Sequence, residues 1–189
     1  MSATIEKITY TPTPEQVARL HQAFDEELAK IQNEFGKTYP MIINGQEREG
    51  SGTFDVYAPA DRTVLIGKFQ KGTKQDVDDA VAAARAAFPA WSKSRYQERV
   101  AILKRAAELI RERKIRLASL LIWECGKNRA EAIGEIEEGG DLVEEYANQV
   151  ELNNGFERML ESLDPAENNR SILRPFGVFA VLAPFNFPH

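Results

Sequence analysis

Val178-Phe179-Ala180-Val181-Leu182, followed at once by Ala183-Pro184-Phe185-Asn186-Phe187-Pro188, decides how the rest of the sequence is read. The first five residues are apolar without alternation. A strand with no polar side is normally covered on both faces, as in a parallel α/β sheet, so a buried strand is expected here. Two prolines then stiffen the backbone on either side of Asn186 and remove two amide donors, so a strand ladder cannot run on through them. The carboxyl end of a strand in such a sheet is where ligands bind. On the residues alone, the plainer account of Asn186 is a strand-ending turn whose side chain caps nearby backbone groups. An amide held on a stiff turn can also donate to an oxyanion without changing its own protonation.

Upstream of this run, Ser171-Ile172-Leu173-Arg174 reads as a strand, Pro175-Phe176-Gly177 as a turn, and Asn153 to Asn169 as polar, turn-rich sequence. The middle of the chain is helical. Thr73-Lys74-Gln75-Asp76 resembles a capping box and opens a stripe of Val77, Val81, Ala84 and Phe88 that Pro89 is expected to stop. Ser94-Arg95-Tyr96-Gln97 is a second such box, ahead of Val100, Leu103, Ala107 and Ile110 on one face. The pattern resumes through Leu117, Leu120 and Leu121 to Cys125, with Gly126 as the cap. A third helix covers Ala130 to Val150, with Ile133, Ile136, Val143 and Tyr146 as its buried side and Gly139-Gly140 marking a close approach or a bend.

The beginning of the chain is mixed. Pro14 starts an amphipathic helix (Val17, Leu20, Phe24, Leu28, Ile31) that Gly36 ends, and Pro12 separates it from the first residues. Met41-Ile42-Ile43 before Asn44-Gly45 is a hairpin signal, because both turn positions tolerate positive φ. Phe54 to Tyr57 and Val64-Leu65-Ile66 complete a set of two or three antiparallel strands. Strands at both ends with helices between them make this an α/β chain.

Composition excludes several classes of function. The net charge of −5 and the mixing of acids with bases argue against nucleic acid or an anionic membrane as a partner. Val178 to Pro184 is far short of the ~20 apolar residues of a membrane span, and Met1 to Tyr10 lacks the apolar core of a signal peptide. A single cysteine permits no internal disulfide, which fits a reducing, cytoplasmic setting. The acidic series Glu135, Glu137, Glu138, Asp141, Glu144 and Glu145 reads as a solvated helix face rather than a metal site. Neither His21 nor the terminal His189 has a nucleophile partner for a hydrolase triad.

Arg174-Pro175-Phe176-Gly177-Val178 followed by Ala183-Pro184-Phe185-Asn186-Phe187-Pro188 resembles the aldehyde dehydrogenase superfamily, where Pro-x-Gly-Val, a buried strand and Pro-Trp-Asn-Phe-Pro occur in that order. Tyr57-Ala58-Pro59-Ala60, Phe88-Pro89-Ala90-Trp91, the Arg99 to Arg111 helix and Glu124-Cys125-Gly126-Lys127 fall in the family's order too. The long N-terminal extension, Tyr39 to Gly45, and Glu144-Glu145-Tyr146-Ala147 are most similar to the 1-pyrroline-5-carboxylate dehydrogenase branch, which oxidises glutamate semialdehyde to glutamate with NAD.

The resemblance implies the N-terminal part of that fold: a helical extension (1–40), a β-hairpin and helices of an incomplete NAD-binding α/β domain (41–150), an oligomerisation arm (151–174), and a first buried strand with its Pro-Phe-Asn-Phe-Pro turn (175–189). It implies that Asn186 is the oxyanion donor, and that Leu182, Ala183, Pro184 and Phe185 line the nicotinamide and ribose end of an NAD site. Phe185 stands where the family commonly has Trp, keeping an aromatic wall without the indole N–H. Cys125 takes a position where the family has a small Thr or Ser. At a helix C-terminus its thiol pKa would rise, so an inert packed thiol is expected rather than the nucleophile. The family's nucleophilic Cys and general-base Glu have no match here, so a partial gene product or partial sequence record, inactive alone, is expected. Its partners would be a small aldehyde and, in the complete enzyme, further copies of itself. A non-catalytic interaction module working through the arm, or another aldehyde dehydrogenase branch, are the alternatives.

Overall fold

The computed structural model describes residues 13–188, so Met1 to Tyr10, Pro12 and His189 lie outside the described residues. The elements run α1 (Pro14–Gln32), β1 (Lys37–Tyr39), β2 (Met41–Ile43), β3 (Gln46–Arg48), β4 (Thr53–Tyr57), β5 (Leu65–Gln70) and α2 (Lys74–Lys93). Then come α3 (Tyr96–Glu112), α4 (Lys114–Cys125), α5 (Arg129–Leu152), a short 3₁₀ turn (Asn154–Phe156), β6 (Glu157–Met159) and β7 (Arg170–Ile172).

Helix α1 opens on a reciprocal cap. The Gln16 N–H donates to the Thr13 hydroxyl, and the Thr13 N–H donates to the Gln16 side chain. Its stripe is part of the core rather than an extension lying on it. Leu20 and Phe24 join Ala118 and Leu121 of α4 and Ala132, Ile133 and Ile136 of α5 in one buried cluster. Phe24 and Ile136 are fully buried, and side chains of this kind contribute about 1.5–3 kcal/mol each on burial. Ion pairs flank the cluster: Arg129 with Asp25, and Arg116 with Glu34 at 2.9 Å. Helix α3 lies along α5, where Arg111 reaches Asp141 (3.0 Å) and Glu144 (2.5 Å). Gly140 is buried there, and a methyl group in its place would sit 3.5 Å from Ile110 Cγ2, so the close approach expected at Gly139-Gly140 is found at Gly140.

The hairpin forms as the Asn-Gly signal demands. β2 and β3 pair with Ile43 opposite Gln46, and Asn44 and Gly45 sit at φ 53° and 72°. The three-stranded sheet has the order β1-β5-β4. β4 and β5 are antiparallel as expected, β2 pairs in a sheet of its own with β3, and β1, a strand the sequence reading did not include, runs parallel to β5. The intervening hairpin and β4 give the chain room to return in the same direction. Arg48 ties β3 to α2 through Asp76 (3.3 Å) and Asp79 (2.6 Å).

Several sequence expectations are corrected. Pro89 does not stop α2, which continues to Lys93. Proline deletes one helical donor, and the alanines on either side are the strongest helix formers. No residue of α2 is buried, so the Val77–Val81 stripe faces outward. Ser94 does not cap α3. Its hydroxyl turns back to donate to the Trp91 carbonyl at 2.7 Å, leaving at the cap position Arg95, whose side chain bonds Glu98 rather than capping the helix backbone. Tyr146 is 68% exposed, while Ala147 is buried. The 3.6-residue stripe from Ile136 through Gly140 reaches 147, and residue 146 is turned about 100° off it. The polar stretch after Asn153 contains β6, which pairs antiparallel with β7. Finally, Val178–Leu182 is not a buried strand: it has no strand partner among the described residues, and Val181 and Leu182 are 89% and 90% exposed. Apolar composition invites burial, but a strand exists only where a neighbour supplies ladder hydrogen bonds.

Candidate active site

Past β7 the chain runs without regular structure to a turn in which the Phe187 N–H donates to the Pro184 carbonyl at 3.3 Å. Phe185 and Asn186 are its two central residues, and Asn186 is exposed. Two contacts hold this turn against the junction of α4 and α5. The Cys125 thiol faces the Phe185 carbonyl at 3.8 Å, and the Lys127 ammonium lies 3.8 Å from the centre of the Phe187 ring. A contact of the second kind is worth about 0.5–1 kcal/mol at an exposed site and about 2 when desolvated.

The junction is stiff for local reasons. Gly126, at φ 72°, closes α4 in the left-handed conformation that a side chain disfavours. Asn128 then caps α5, its side chain accepting the Glu131 N–H at 2.9 Å. Lys127, between these two caps, pairs with Glu135 in the second turn of α5, and their side chains are only 14% and 6% exposed. Cys125 and Lys127, on either side of the Gly126 cap, thus carry the Asn186 turn.

Of the residues read as cofactor-lining, Phe185 is brought to Cys125. Leu182, Ala183 and Pro184 are exposed on the irregular segment. Cys125 is partly buried at the end of α4. Burial pushes its thiol above the ordinary value of 9.0, Glu124 and Glu135 add to this, and Lys127 opposes it. The direction is the one expected from its helix position, although burial is the larger cause. His21 is exposed on α1, with Nδ1 3.0 Å from Arg129.

The acidic series on α5 is not uniformly solvated. Glu135 is buried against Lys127, and the half-buried Glu137 pairs with the buried Lys114 at 2.6 Å. Among the described residues no group of three or more His, Cys, Asp or Glu side chains is placed to hold a metal ion. The roles of Lys127 and Glu135 were missed from sequence because an acid within a run of acids looks like surface. The available signal was position: Glu135 stands three residues after Ala132 and next to Ile136, on the edge of the apolar stripe.

A model of the aldehyde dehydrogenase family matches residues 46–189. The chain belongs to the aldehyde dehydrogenase family. It is 34% identical over 168 residues to a 1-pyrroline-5-carboxylate dehydrogenase of Staphylococcus epidermidis, a match spanning 88% of this chain and 32% of that protein. Against the protein of the same name from a Geobacillus species the identity is 38%, with the same coverage. The chain thus spans about a third of the length of the curated relatives it matches. Among solved structures, a 1-pyrroline-5-carboxylate dehydrogenase from Thermus with bound NAD superposes with a TM-score of 0.85 at 32% identity, over 97% of this chain and 34% of that one. The fold is therefore the N-terminal part of the aldehyde dehydrogenase fold, in the branch that the sequence motifs resembled. No helix among the described residues is long and apolar enough to cross a membrane.

Proposed function

We propose that this chain is the N-terminal portion of an enzyme that oxidises an aldehyde to a carboxylate with NAD, the aldehyde being L-glutamate 5-semialdehyde. Asn186 is the oxyanion donor. The observation that carries this reading is the turn itself: Asn186 is exposed on a proline-bounded turn fastened at Phe185 and Phe187. A neutral amide so held donates its N–H to charge developing on the aldehyde oxygen with little reorganisation, the arrangement that makes oxyanion donors effective. The nucleophilic thiolate and the general-base carboxylate belong to sequence other than these 189 residues, and Cys125, with its raised pKa, is not the nucleophile.

Residues 182–185 fit a nicotinamide. Leu182 and Phe185 are exposed apolar surfaces, and no ionised side chain occurs between Leu182 and Phe187, which suits a planar ring and its ribose rather than a phosphate. Leu182, Ala183, Pro184 and Phe185 would hold that end of the NAD, which supplies the hydride acceptor when bound. The proposal is tested with the polypeptide of the complete reading frame that contains this chain, following formation of reduced nicotinamide. Glutamate semialdehyde should turn over in preference to other aldehydes, and Asn186→Ala should lower kcat about 10²–10³-fold. Turnover of an aldehyde by the 189 residues alone would sink the assignment of the nucleophile.

A second reading is favoured by the β6–β7 hairpin, which leaves Met159, Leu160 and Leu163 exposed. We propose that this arm joins copies of the enzyme into an oligomer, and that the chain by itself can act as an interaction module. Failure of the tagged chain to co-purify with a complete subunit would count against it.

A further inference from the structure

We infer that Lys127 and Glu135 are positioning residues for Asn186, holding the oxyanion turn in place through the ring of Phe187. The inference rests on the reading of Asn186 as the oxyanion donor and extends it to residues that touch neither substrate nor cofactor. Between β7 and the Pro184–Phe187 turn the chain has no strand or helix to fix its course. The turn's direction is therefore set by what grips its two flanks. On one side the Phe185 carbonyl meets the Cys125 thiol at 3.8 Å, a weak contact. On the other the Phe187 ring lies under the Lys127 ammonium at 3.8 Å.

A lysine is a flexible anchor unless something immobilises its four-carbon stem. Here two things do. Its backbone lies between the Gly126 cap of α4 and the Asn128 cap of α5, and its ammonium is paired with the buried Glu135 carboxylate. Glu135 in turn belongs to the rigid face of α5 that carries Ile133 and Ile136 into the core. The sequence of contacts is thus core helix, buried carboxylate, clamped ammonium, aromatic ring, and then the residue before it in the chain, Asn186. Misplacing a catalytic donor by a small distance is enough to lose much of its effect.

The test uses the ¹⁵N-labelled 189-residue chain. Two signals are read: the order of the Asn186 side-chain amide, from its heteronuclear relaxation, and the hydrogen exchange of the Phe187 N–H that closes the turn. Phe187→Leu removes the half-exposed ring without touching the buried pair, and Lys127→Met removes the cation. Both should release the Asn186 amide to fast motion and speed Phe187 exchange roughly two- to thirty-fold, the range a cation–π contact supports. Lys127→Arg, which keeps a cation over the ring, should restore both signals, and Glu135→Gln should loosen them. The urea midpoint of Phe187→Leu should stay at the wild-type value, separating positioning from general stability. Unchanged Asn186 and Phe187 signals in Phe187→Leu overturn the inference, even if Lys127→Met fails to fold. In the complete reading frame, Lys127→Met should lower kcat with KM held, and Lys127→Arg should recover it. If Asn186→Ala leaves kcat intact there while the labelled chain responds as described, the oxyanion reading fails and the latch stands.

Discussion

Lys114 and Glu137 form a pair whose disruption has a magnitude that can be worked out. Their side chains are 8% and 12% exposed, and the Nζ–Oε1 separation is 2.6 Å. The pair links the first residue of α4 to the middle of α5, beside the Ala118–Ile133–Ile136 packing. Lys114→Met keeps the stem volume and removes the ammonium, leaving the Glu137 carboxylate in a site that water barely reaches. Breaking one side of a buried pair costs about 3–5 kcal/mol, whereas replacing both members with apolar residues is often neutral or stabilising. The residual exposure places the single variant near the lower figure, about 3 kcal/mol, out of the 5–15 kcal/mol typical of a whole domain. With an ordinary urea dependence of ~2 kcal/mol/M, the midpoint should fall by about 1.5 M. The assay is equilibrium urea unfolding followed by circular dichroism, for the wild type, Lys114→Met, Glu137→Leu and the double variant. The double variant should recover most of the loss, with a coupling outside the additive range. Two independent, additive losses, or a Lys114→Met midpoint equal to wild type, would falsify the claim that the pair is buried and coupled.

Other expectations follow from the same geometry. Phe24→Ala should destabilise the chain by about 3–5 kcal/mol, because its ring is fully enclosed by α4 and α5; a loss confined to α1 fraying, with the global transition unmoved, would return α1 to the status of an appendage. Asp76 has its pKa held below the ordinary 3.8 by the Thr73 hydroxyl, the Thr73 N–H and then Arg48. A depressed carboxylate adds stability that is complete above the unfolded pKa and fades as pH falls through the lower folded one, so the loss should begin below about pH 3.8. Asp76→Asn should flatten that part of the stability–pH curve, and an unaltered curve would remove the carboxylate from the cap. Cys125, its thiol pushed above 9.0, should alkylate slowly at neutral pH and faster only on the alkaline side of that value. Rapid modification near pH 7 would contradict the burial assigned to it.

Much of the local structure was legible because short-range chemistry dictates it. Asn44-Gly45 can close a two-residue turn in few ways, and Thr73 with Asp76, Gly126 after Cys125 and Pro14 behind Thr13 punctuate helices by hydrogen bonds made within a few residues. What escaped depends on partners far along the chain. The parallel pairing of β1 with β5 joins residues about thirty positions apart and leaves no mark on either segment. Glu135 and Glu137 look like their solvated neighbours until α4 and the Lys127 junction are folded against them. Ser94 satisfied a capping pattern in sequence, but the carbonyls at the end of α2 claimed its hydroxyl first. At the site, Asn186 was visible through its prolines and its family motif, whereas the groups that hold the turn were not, because a cation over a ring has no sequence spacing.

The place of α1 in the core also sets a timetable. Asp25 and its partner Arg129 are 104 positions apart, and the apolar residues that enclose Phe24 are spread across that same later stretch. At synthesis rates of ~5–20 residues per second, the helix leaves the ribosome roughly 5–20 s before its binding surface exists. During that interval Leu20, Phe24 and Ile31 form an unshielded apolar ridge on a nascent chain. Helix α1 is therefore made early but secured late, and any chaperone that attends this protein during translation has its natural target there.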